Sequence, residues 1–243
     1  MFKSFQKGQQ FKGFPNLNFQ MNNEAYGFSG CTMWLDAAWG LNTQTDLGAV
    51  TTWRSRVGNV VMTQASVANQ PRFNASNGLY NNYPTVESQG TGRCMSTASG
   101  INVGSTVAFV ANYNTIGTLN NLFAPLNTGV GALWAVGLGG TATGVNGVFV
   151  RIATTSYVSA TTESNSVKIV VITPNAIYVN GVLENSSVNQ INNRSFGLLF
   201  LATTGSTGDT LNGYCAELIF WNTDYTGSEL EISSRLNAKY AIY

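Results

Sequence analysis

The sequence contains no histidine and few charged residues. Of its 243 residues none is His, and charged side chains make up 9%. The absence of His excludes histidine-based catalytic triads, histidine metal sites and imidazole acid–base catalysis. The charged fraction is far below the roughly 25% usual for soluble domains. A formal net charge of +1 gives no field that attracts nucleic acid or an anionic membrane, so we expect neither as a partner.

Long apolar runs and paired cysteines are also missing. No segment approaches the roughly 18 apolar residues of a membrane helix, and residues 4–14 are too polar for the core of a secretory signal. The cysteines Cys31, Cys94 and Cys215 are odd in number and lack the close spacing of a zinc site. We expect three reduced, largely buried thiols in a protein made in the cytoplasm.

Alternating and β-branched runs fill most of the chain, which predicts one all-β domain. The predicted strands cover residues 32–35, 49–53, 60–64, 106–113, 133–138, 147–153, 167–173, 176–179, 196–202 and 214–221. The clearest local signal is 166–183, where Asn180-Gly181 supplies the positive φ angles of a tight hairpin turn. This stretch predicts consecutive antiparallel strands.

One helix is predicted over residues 227–240. Thr226 and Glu229 have the spacing of a capping box, and Glu231 and Arg235 have the four-residue spacing of an ion pair. The expected apolar face consists of Leu230, Ile232, Leu236 and Tyr240. We expect this face to pack against the strands and the charged residues, including Lys239 in the last turn, to be solvated.

Motifs at both ends of the chain resemble one fold family. Residues 31–38 read Cys-Thr-Met-Trp-Leu-Asp-Ala-Ala, and Val50-Thr-Thr-Trp53 and Gln70-Pro71 follow; near the C-terminus stand Gly213-Tyr-Cys-Ala-Glu-Leu-Ile-Phe-Trp-Asn and Leu236-Asn-Ala-Lys-Tyr240. They are similar to the first and last strands of concanavalin A-like, or laminin G-like, domains, over residues 29–243. The resemblance implies an antiparallel β-sandwich (jelly roll) with one short C-terminal helix. Such domains occur on virion proteins, adhesins, lectins and sugar-cleaving enzymes, so fold alone does not give activity.

The sequence does not favour an enzyme. Sandwich glycosidases of the laminarinase type carry Glu-x-Asp-x-Glu or a near variant on one strand, and no such run exists here. Glu217 stands where the family strand has Glu, and we interpret it as a hydrogen-bonded or edge-exposed carboxylate. Glycoside hydrolysis needs two carboxylates about 5–10 Å apart, and pairing across strands is the alternative that stays open. The glycine-rich runs at 137–140 and 144–147 lack the Lys-Ser/Thr ending of a phosphate loop, and we interpret them as turns.

Cofactors are not expected, with one open alternative. Legume-type lectins of this fold bind calcium through aspartate and asparagine loops. Oxygens for a structural calcium ion could come from Asp36, Asn42 and Asp46, or from Asp209 and Asn212. Their spacing matches no specific calcium loop, so we assign no ligands.

The first 23 residues differ from the remainder and predict an N-terminal attachment arm before a sandwich domain at 24–243. The segment contains no acidic residue, and Gly and Gln interrupt any helical or strand period. Its apolar and basic residues are Phe2, Lys3, Phe5, Lys7, Phe11, Lys12, Phe14 and Phe19. Because the segment cannot bury these rings within itself, we expect it to dock on a neighbouring subunit; its own sandwich, or a flexible tail, is the alternative.

Aromatic residues in polar segments are candidate glycan contacts. Trp34, Trp53 and Trp221 fall on predicted strands and are expected in the core. The candidates lie in Gly- and Asn-rich segments: Trp39, Tyr80, Asn81, Asn82 and Tyr83. Exposed rings beside amide donors and acceptors are typical of sugar recognition. Packing of the loops, or a subunit contact, is the alternative role.

Together these features favour a non-enzymatic structural protein of a virus. We expect a bacteriophage capsid decoration or head-fibre protein, located in the virion and assembled in the host cytoplasm. Its expected partners are other virion proteins, above all capsid protein, and further copies of itself. The alternative is a carbohydrate-binding adhesin or tail-fibre tip that grips a host glycan.

Overall fold

The structure is a computed structural model that describes residues 23–88, 93–102, 104–114, 121–125, 134–140, 145–152, 155–158, 165–188, 195–200 and 211–243. The arm predicted over residues 1–23 lies, apart from Asn23, outside the described residues, and so does Asp209 of the calcium alternative. No helix in the described part of the chain is long and apolar enough to cross a membrane.

Sixteen strands, one α-helix and two short 3-10 helices (Val67–Asn69 and Gly78–Tyr80) make up the described regular structure. The first eight strands are β1 (Cys31–Asp36), β2 (Thr52–Arg54), β3 (Val61–Thr63), β4 (Arg72–Asn77), β5 (Tyr83–Ser88), β6 (Met95–Asn102), β7 (Thr106–Tyr113) and β8 (Asn121–Pro125). The others are β9 (Trp134–Gly140), β10 (Val145–Ile152), β11 (Thr155–Val158), β12 (Lys168–Ile172), β13 (Ile177–Val179), β14 (Val182–Asn185), β15 (Ser195–Phe200) and β16 (Gly213–Trp221). Helix α1 spans Glu229–Tyr240.

The strands form two antiparallel sheets, which confirms the predicted β-sandwich. The first sheet has the order β14-β13-β12-β7-β16-β5-β4, and β1 also pairs with β16. The second has the order β11-β10-β9-β8-β15-β6-β3-β2. On one edge of β16, β5 pairs with Gly213–Cys215 and β1 pairs with the segment from Glu217 to Trp221. The first and last strands of the domain are therefore direct neighbours.

The main core lies between the two sheets. Alternation along β1 points Met33 and Leu35 into this core, whereas Trp34 and Asp36 lie on the outer face. Trp53 of β2 is fully buried in the same core. Each buried large apolar side chain contributes about 1.5–3 kcal/mol relative to its exposed state. Burial of Met33 and Leu35 therefore fixes the orientation of β1, and the alternate residues Trp34 and Asp36 face outward.

A second apolar cluster covers the outer face of the first sheet. It includes Phe28, Val110, Ile169, Trp221, Ile232, Leu236 and Tyr240. Helix α1 and the segment that precedes β1 contribute to it, so strands β7 and β12 are buried on both faces. This explains why β7 and β12 read as nearly continuous apolar runs rather than as alternating ones.

Helix α1 begins later than predicted and is capped differently. Its N-cap residue is Ser228, which makes no side-chain cap bond. Glu229 accepts instead from the Gly227 amide at 2.7 Å and from the Thr173 hydroxyl at 2.8 Å. The predicted capping box with Thr226 is therefore wrong, because the Glu229 side chain turns to the sheet and is buried.

The helix face is otherwise close to the prediction. Ile232, Leu236 and Tyr240 are buried, but Leu230 is 57% exposed. The predicted ion pair between Glu231 and Arg235 is present. The interpretation of residues 137–140 as a turn is wrong, because they lie within β9.

Candidate functional site

Glu217 is the centre of a polar cluster on the outer face of the first sheet. The residue is 0% exposed. Its Oε1 accepts hydrogen bonds from the hydroxyls of Tyr26 at 2.8 Å and Tyr240 at 2.9 Å, and from the ammonium of Lys239. Its Oε2 accepts from the indole Nε1 of Trp34 at 3.3 Å. Donors from the segment before β1, from β1 and from α1 thus meet at one carboxylate.

Asp36 is the second carboxylate of the cluster. It lies opposite Glu217 in the β1–β16 register. Its Oδ2 contacts a terminal nitrogen of Arg56 at 2.9 Å and the Lys239 ammonium at 3.2 Å. Its Oδ1 accepts from the backbone amide of Ala38 at 2.8 Å. The Lys239 ammonium therefore lies between the two carboxylates and pairs with both.

Burial dominates the electrostatics of this cluster. It raises the pKa of Glu217, and the charge of Asp36 adds to this rise while the Lys239 ammonium opposes it. Burial and the neighbouring carboxylate likewise raise the pKa values of Tyr26 and Tyr240 far above the ordinary phenol value. Both phenols are protonated at neutral pH and act as donors to Glu217.

Neither carboxylate is accessible to a substrate in this geometry. Asp36 is 2% exposed and Glu217 is 0% exposed, and the protein's own donors occupy their oxygens. A glycosidase needs one carboxylate that reaches the leaving group and another that reaches the sugar ring or a water. The pairing across strands that the sequence left open does exist, but it is enclosed. Its two basic partners keep part of their surface, since the side chains of Lys239 and Arg56 are 18% and 22% exposed.

Trp39 lies at the open side of this cluster. It follows β1 and is 43% exposed. The guanidinium carbon of Arg56 is 5.7 Å from the centroid of the Trp39 ring and 5.0 Å from that of Trp34. Arg56 therefore contacts a half-buried and an exposed indole while it pairs with Asp36.

Tyr80 is not available as a glycan contact, which corrects the expectation from the sequence. The residue is 0% exposed. Its hydroxyl donates to Oδ1 of Asn112 at 2.8 Å and to the Tyr214 carbonyl at 3.0 Å. The polar residues around Tyr80 in the sequence suggested an exposed loop. Instead, a short 3-10 helix at Gly78–Tyr80 places this ring in the interior.

The neighbouring candidates stay at the surface. Asn81 and Asn82 are exposed and have φ values of 54° and 62°, a left-handed conformation that Asn tolerates. Tyr83 is half-buried, and the Lys239 ammonium is 5.2 Å from its ring centroid. The Asn81 side chain donates to the Lys239 carbonyl at 3.1 Å. Their role in glycan binding remains a prediction.

In the first calcium alternative, oxygens of Asp36, Asn42 and Asp46 already accept hydrogen bonds from the protein. Oδ1 of Asn42 accepts from the Thr51 and Thr52 amides at 2.8 and 3.1 Å, and Oδ1 of Asp46 accepts from the Ala75 amide at 2.8 Å. The described residues contain no group of three or more His, Cys, Asp or Glu side chains that could hold a metal ion.

Comparison by sequence gives no relatives. No model of a known protein family matches the chain, and no curated protein matches it.

Comparison by structure gives similar β-sandwich domains. Trypanosoma rangeli sialidase in complex with 2-keto-3-deoxy-D-glycero-D-galacto-2,3-difluoro-nononic acid has a TM-score of 0.53 at 13% identity, over 92% of this chain and 36% of the sialidase chain. The same organism's sialidase with the inhibitor DANA has a TM-score of 0.53 at 12% identity, over 86% of this chain and 33% of that chain. Domain 4 of AbnA, a GH43 extracellular arabinanase from Geobacillus stearothermophilus, in complex with arabinotriose, reaches only 0.48 at 11% identity, over 84% of this chain and 98% of that domain.

The two sialidase likenesses show the fold and no more. The chain spans about a third of the length of the sialidase chains, at 36% and 33%. The jelly-roll type of sandwich implied by the sequence motifs agrees with the sialidase likeness. A shared activity does not follow from so low an identity, because one fold carries many functions.

Sequence reasoning missed most of the polar cluster. Asp36 appeared only as a calcium oxygen, Lys239 was expected to be solvated, and Tyr26 and Arg56 carried no signal. One signal was available. Asp36 and Glu217 each interrupt an apolar strand, and a buried carboxylate requires buried donors.

Proposed function

We propose that the chain is a non-enzymatic structural protein of a virus particle, a bacteriophage capsid decoration or head-fibre protein attached through residues 1–23. The closed carboxylate pair supports the non-enzymatic part. Glu217 is 0% exposed, and Tyr26, Tyr240 and Lys239 bind its oxygen. A substrate would have to displace these groups before either carboxylate could act on it.

The attachment part of the proposal rests on the sequence of the arm and on its base. The segment before β1 is held on the sheet by the ring of Phe28, which packs edge-on against Trp221 at 6.4 Å. The Trp221 indole donates to the Phe28 carbonyl at 3.2 Å, and the Cys31 amide donates to the Asn23 carbonyl at 2.7 Å. Because the chain at Asn23 is held on the domain, an arm bound to a neighbour would tether the domain close to that neighbour. Capsid protein and further copies of this chain are the proposed partners.

Particle incorporation tests this proposal. Mass spectrometry of particles purified from producing cells should detect the full chain, and a chain lacking residues 2–22 should be folded but missing from the particles. Two matched variants separate the forces involved: one replaces the arm phenylalanines by Ser and the other replaces its lysines by Gln. We expect the first to lose incorporation, because apolar burial supplies most of the energy of such contacts. Full incorporation of the truncated chain would refute the attachment role.

The absence of enzymatic activity has its own test. The wild-type chain and Glu217→Gln should both leave a broad panel of polysaccharides unhydrolysed. Reproducible turnover by the wild type that disappears in Glu217→Gln would make Glu217 catalytic and would overturn this part of the proposal.

A carbohydrate-binding adhesin or receptor-binding tip is the second candidate function. The exposed Trp39 ring beside Arg56 favours it, since sugar sites combine an exposed ring with well-placed hydrogen-bond donors. The wild-type chain on a glycan array tests it. A specific, reproducible hit supports this function, and its absence supports a purely structural role.

A further inference from the structure

We infer that Trp39 and Arg56 form a binding site for an uncharged saccharide. This inference rests on the carbohydrate-binding candidate above and names its site and its class of ligand. Four features of the structure carry it: a fixed loop, an exposed ring, an incompletely used guanidinium and a balanced local charge.

The loop that carries Trp39 is fixed at both sides. The Trp39 amide donates to the Asp36 carbonyl at 2.8 Å, and the Gly40 carbonyl accepts from the Arg54 amide at 2.9 Å. Gly40 has a φ of +78°, and a Cβ atom there would lie 2.4 Å from the Arg54 carbonyl oxygen. Only glycine fits this close approach. The Trp39 ring therefore starts from a backbone that is already in place.

The Trp39 side chain is exposed although its backbone is held in place. Trp39 is 43% exposed, whereas Trp53 and Trp221 are 0% exposed. An indole on a fixed backbone loses less conformational freedom on binding than one on a flexible loop, and this improves affinity. The apolar C–H face of a sugar ring is a suitable partner for such a surface.

Arg56 supplies polar contacts beside the ring. A guanidinium has five N–H donors, and a terminal nitrogen of Arg56 contacts Oδ2 of Asp36 at 2.9 Å. Within the described part of the chain, its buried Nε has no hydrogen-bond partner. Asp36 and the rings of Trp34 and Trp39 locate the guanidinium, and its 22% exposed side chain retains N–H groups for the oxygens of a ligand.

The charge balance selects the class of ligand. The two cations, Arg56 and Lys239, are each paired with a carboxylate, Asp36 or Glu217, so the formal charges cancel. A carboxylated or phosphorylated sugar that approached Arg56 would also meet the repulsion of Asp36. A hydroxyl oxygen accepts a hydrogen bond without this penalty, which favours a neutral saccharide.

A glycan array with neutral and acidic glycans tests the inference, followed by titration of each hit with the full chain. Trp39→Ala removes the ring, and Arg56→Lys keeps the charge next to Asp36 but loses the planar fork of donors. We expect each to weaken binding of a neutral glycan at least tenfold, which corresponds to about 1.4 kcal/mol. The matched controls are Arg54→Ala and Val67→Ala, which change exposed side chains other than Trp39 and Arg56. Both should bind like wild type.

The outcomes separate this inference from the candidate function. A neutral-glycan hit that Trp39→Ala and Arg56→Lys leave unchanged would overturn the site but not carbohydrate binding. A hit confined to acidic glycans and weakened by Arg54→Ala would overturn the ligand class. No hit for the wild type would remove the candidate function together with this inference. Because the Trp39 side chain is half exposed, Trp39→Ala decides the result if Arg56→Lys proves unstable by thermal unfolding.

Discussion

Tyr26 and Glu217 are separated by 191 positions in the chain and joined by a hydrogen bond of 2.8 Å. This contact links the segment before the first strand to the last strand, on the face that α1 covers. Lys239 and Tyr240, at the end of α1, bind the same Glu217 oxygen. One buried carboxylate therefore joins both ends of this sheet face to α1, in addition to the pairing of β1 with β16 and the contact of Phe28 with Trp221.

The Tyr26 hydroxyl should contribute measurably to folding stability. Tyr26→Phe removes a donor to a buried carboxylate, and hydrogen bonds to charged groups contribute about 1.5–3 kcal/mol. We expect a loss of this size in the free energy of unfolding, measured by urea denaturation. The matched control is Tyr225→Phe, whose hydroxyl donates to the exposed Ser29 carbonyl at 2.7 Å and should cost about 0.5–1.5 kcal/mol. Equal losses in the two variants would contradict a special role for Glu217.

Much of the fold follows from local sequence patterns. Strand β7 matches its prediction of 106–113 in full, and the 166–183 hairpin forms as expected around Asn180-Gly181. Strands β4, β5 and β6 were missed, because Asn, Ser and Thr occupy many of their positions and hide the apolar alternation. These strands pair with segments far away in the chain, and the strand propensity of the residues does not predict such pairing.

The candidate site could be predicted only in part. Trp39 is exposed as expected, and Glu217 is hydrogen-bonded as expected. Tyr80 was misassigned because its burial depends on Asn112 and on the Tyr214 carbonyl, partners brought close by the sheet. Long-range contacts of this kind leave no periodic mark on the sequence, so only the structure reveals them.

The raised pKa of Glu217 predicts a specific pH dependence of stability. Its folded pKa lies above the ordinary value of 4.5, so the folded protein holds this proton more tightly than the unfolded chain. The stabilising contribution is fully present below the ordinary pKa and is lost as the pH rises through the folded pKa. In urea unfolding, the stability of the wild type minus that of Glu217→Gln should fall as the pH rises through this range.

The control for this pH dependence is an exposed carboxylate. Glu231 is paired with Arg235 at the surface of α1, and its side chain is 56% exposed. Glu231→Gln removes the same type of side chain from an exposed position, so comparison of the two variants separates the effect of burial from the loss of one carboxyl group. A wild-type minus Glu217→Gln difference that stays flat, or rises with pH, would show that burial does not dominate the energetics of Glu217.

The three thiols should differ in reactivity. Burial raises the pKa of Cys31 to about 12 and also raises that of Cys215, and neither forms a disulfide. Burial also raises the pKa of Cys94, but this thiol is only half-buried and is therefore the most accessible of the three. Because the thiolate is the reactive form, iodoacetamide at pH 8 should modify Cys94 first in the native protein and all three cysteines after denaturation, as read by mass spectrometry. Cys94→Ser should remove the native modification, and earlier labelling of Cys31 would contradict the burial.

Gly104 should be intolerant of any side chain, because the chain passes close to the end of β16 there. Gly104 has a φ of +74°, and a Cβ atom would lie 1.9 Å from the Trp221 carbonyl oxygen. That oxygen accepts the amide of Ser105 at 2.8 Å, so the backbone cannot withdraw without losing this bond. Left-handed strain and overpacking together predict that Gly104→Ala lowers the free energy of unfolding by at least about 2 kcal/mol.

Gly78→Ala is the matched control, since nothing lies within 4 Å of its added Cβ, and a surface change of this kind stays within about 0.5 kcal/mol. Similar unfolding midpoints for the two variants in urea would mean that the approach of Gly104 to Trp221 is not maintained in solution.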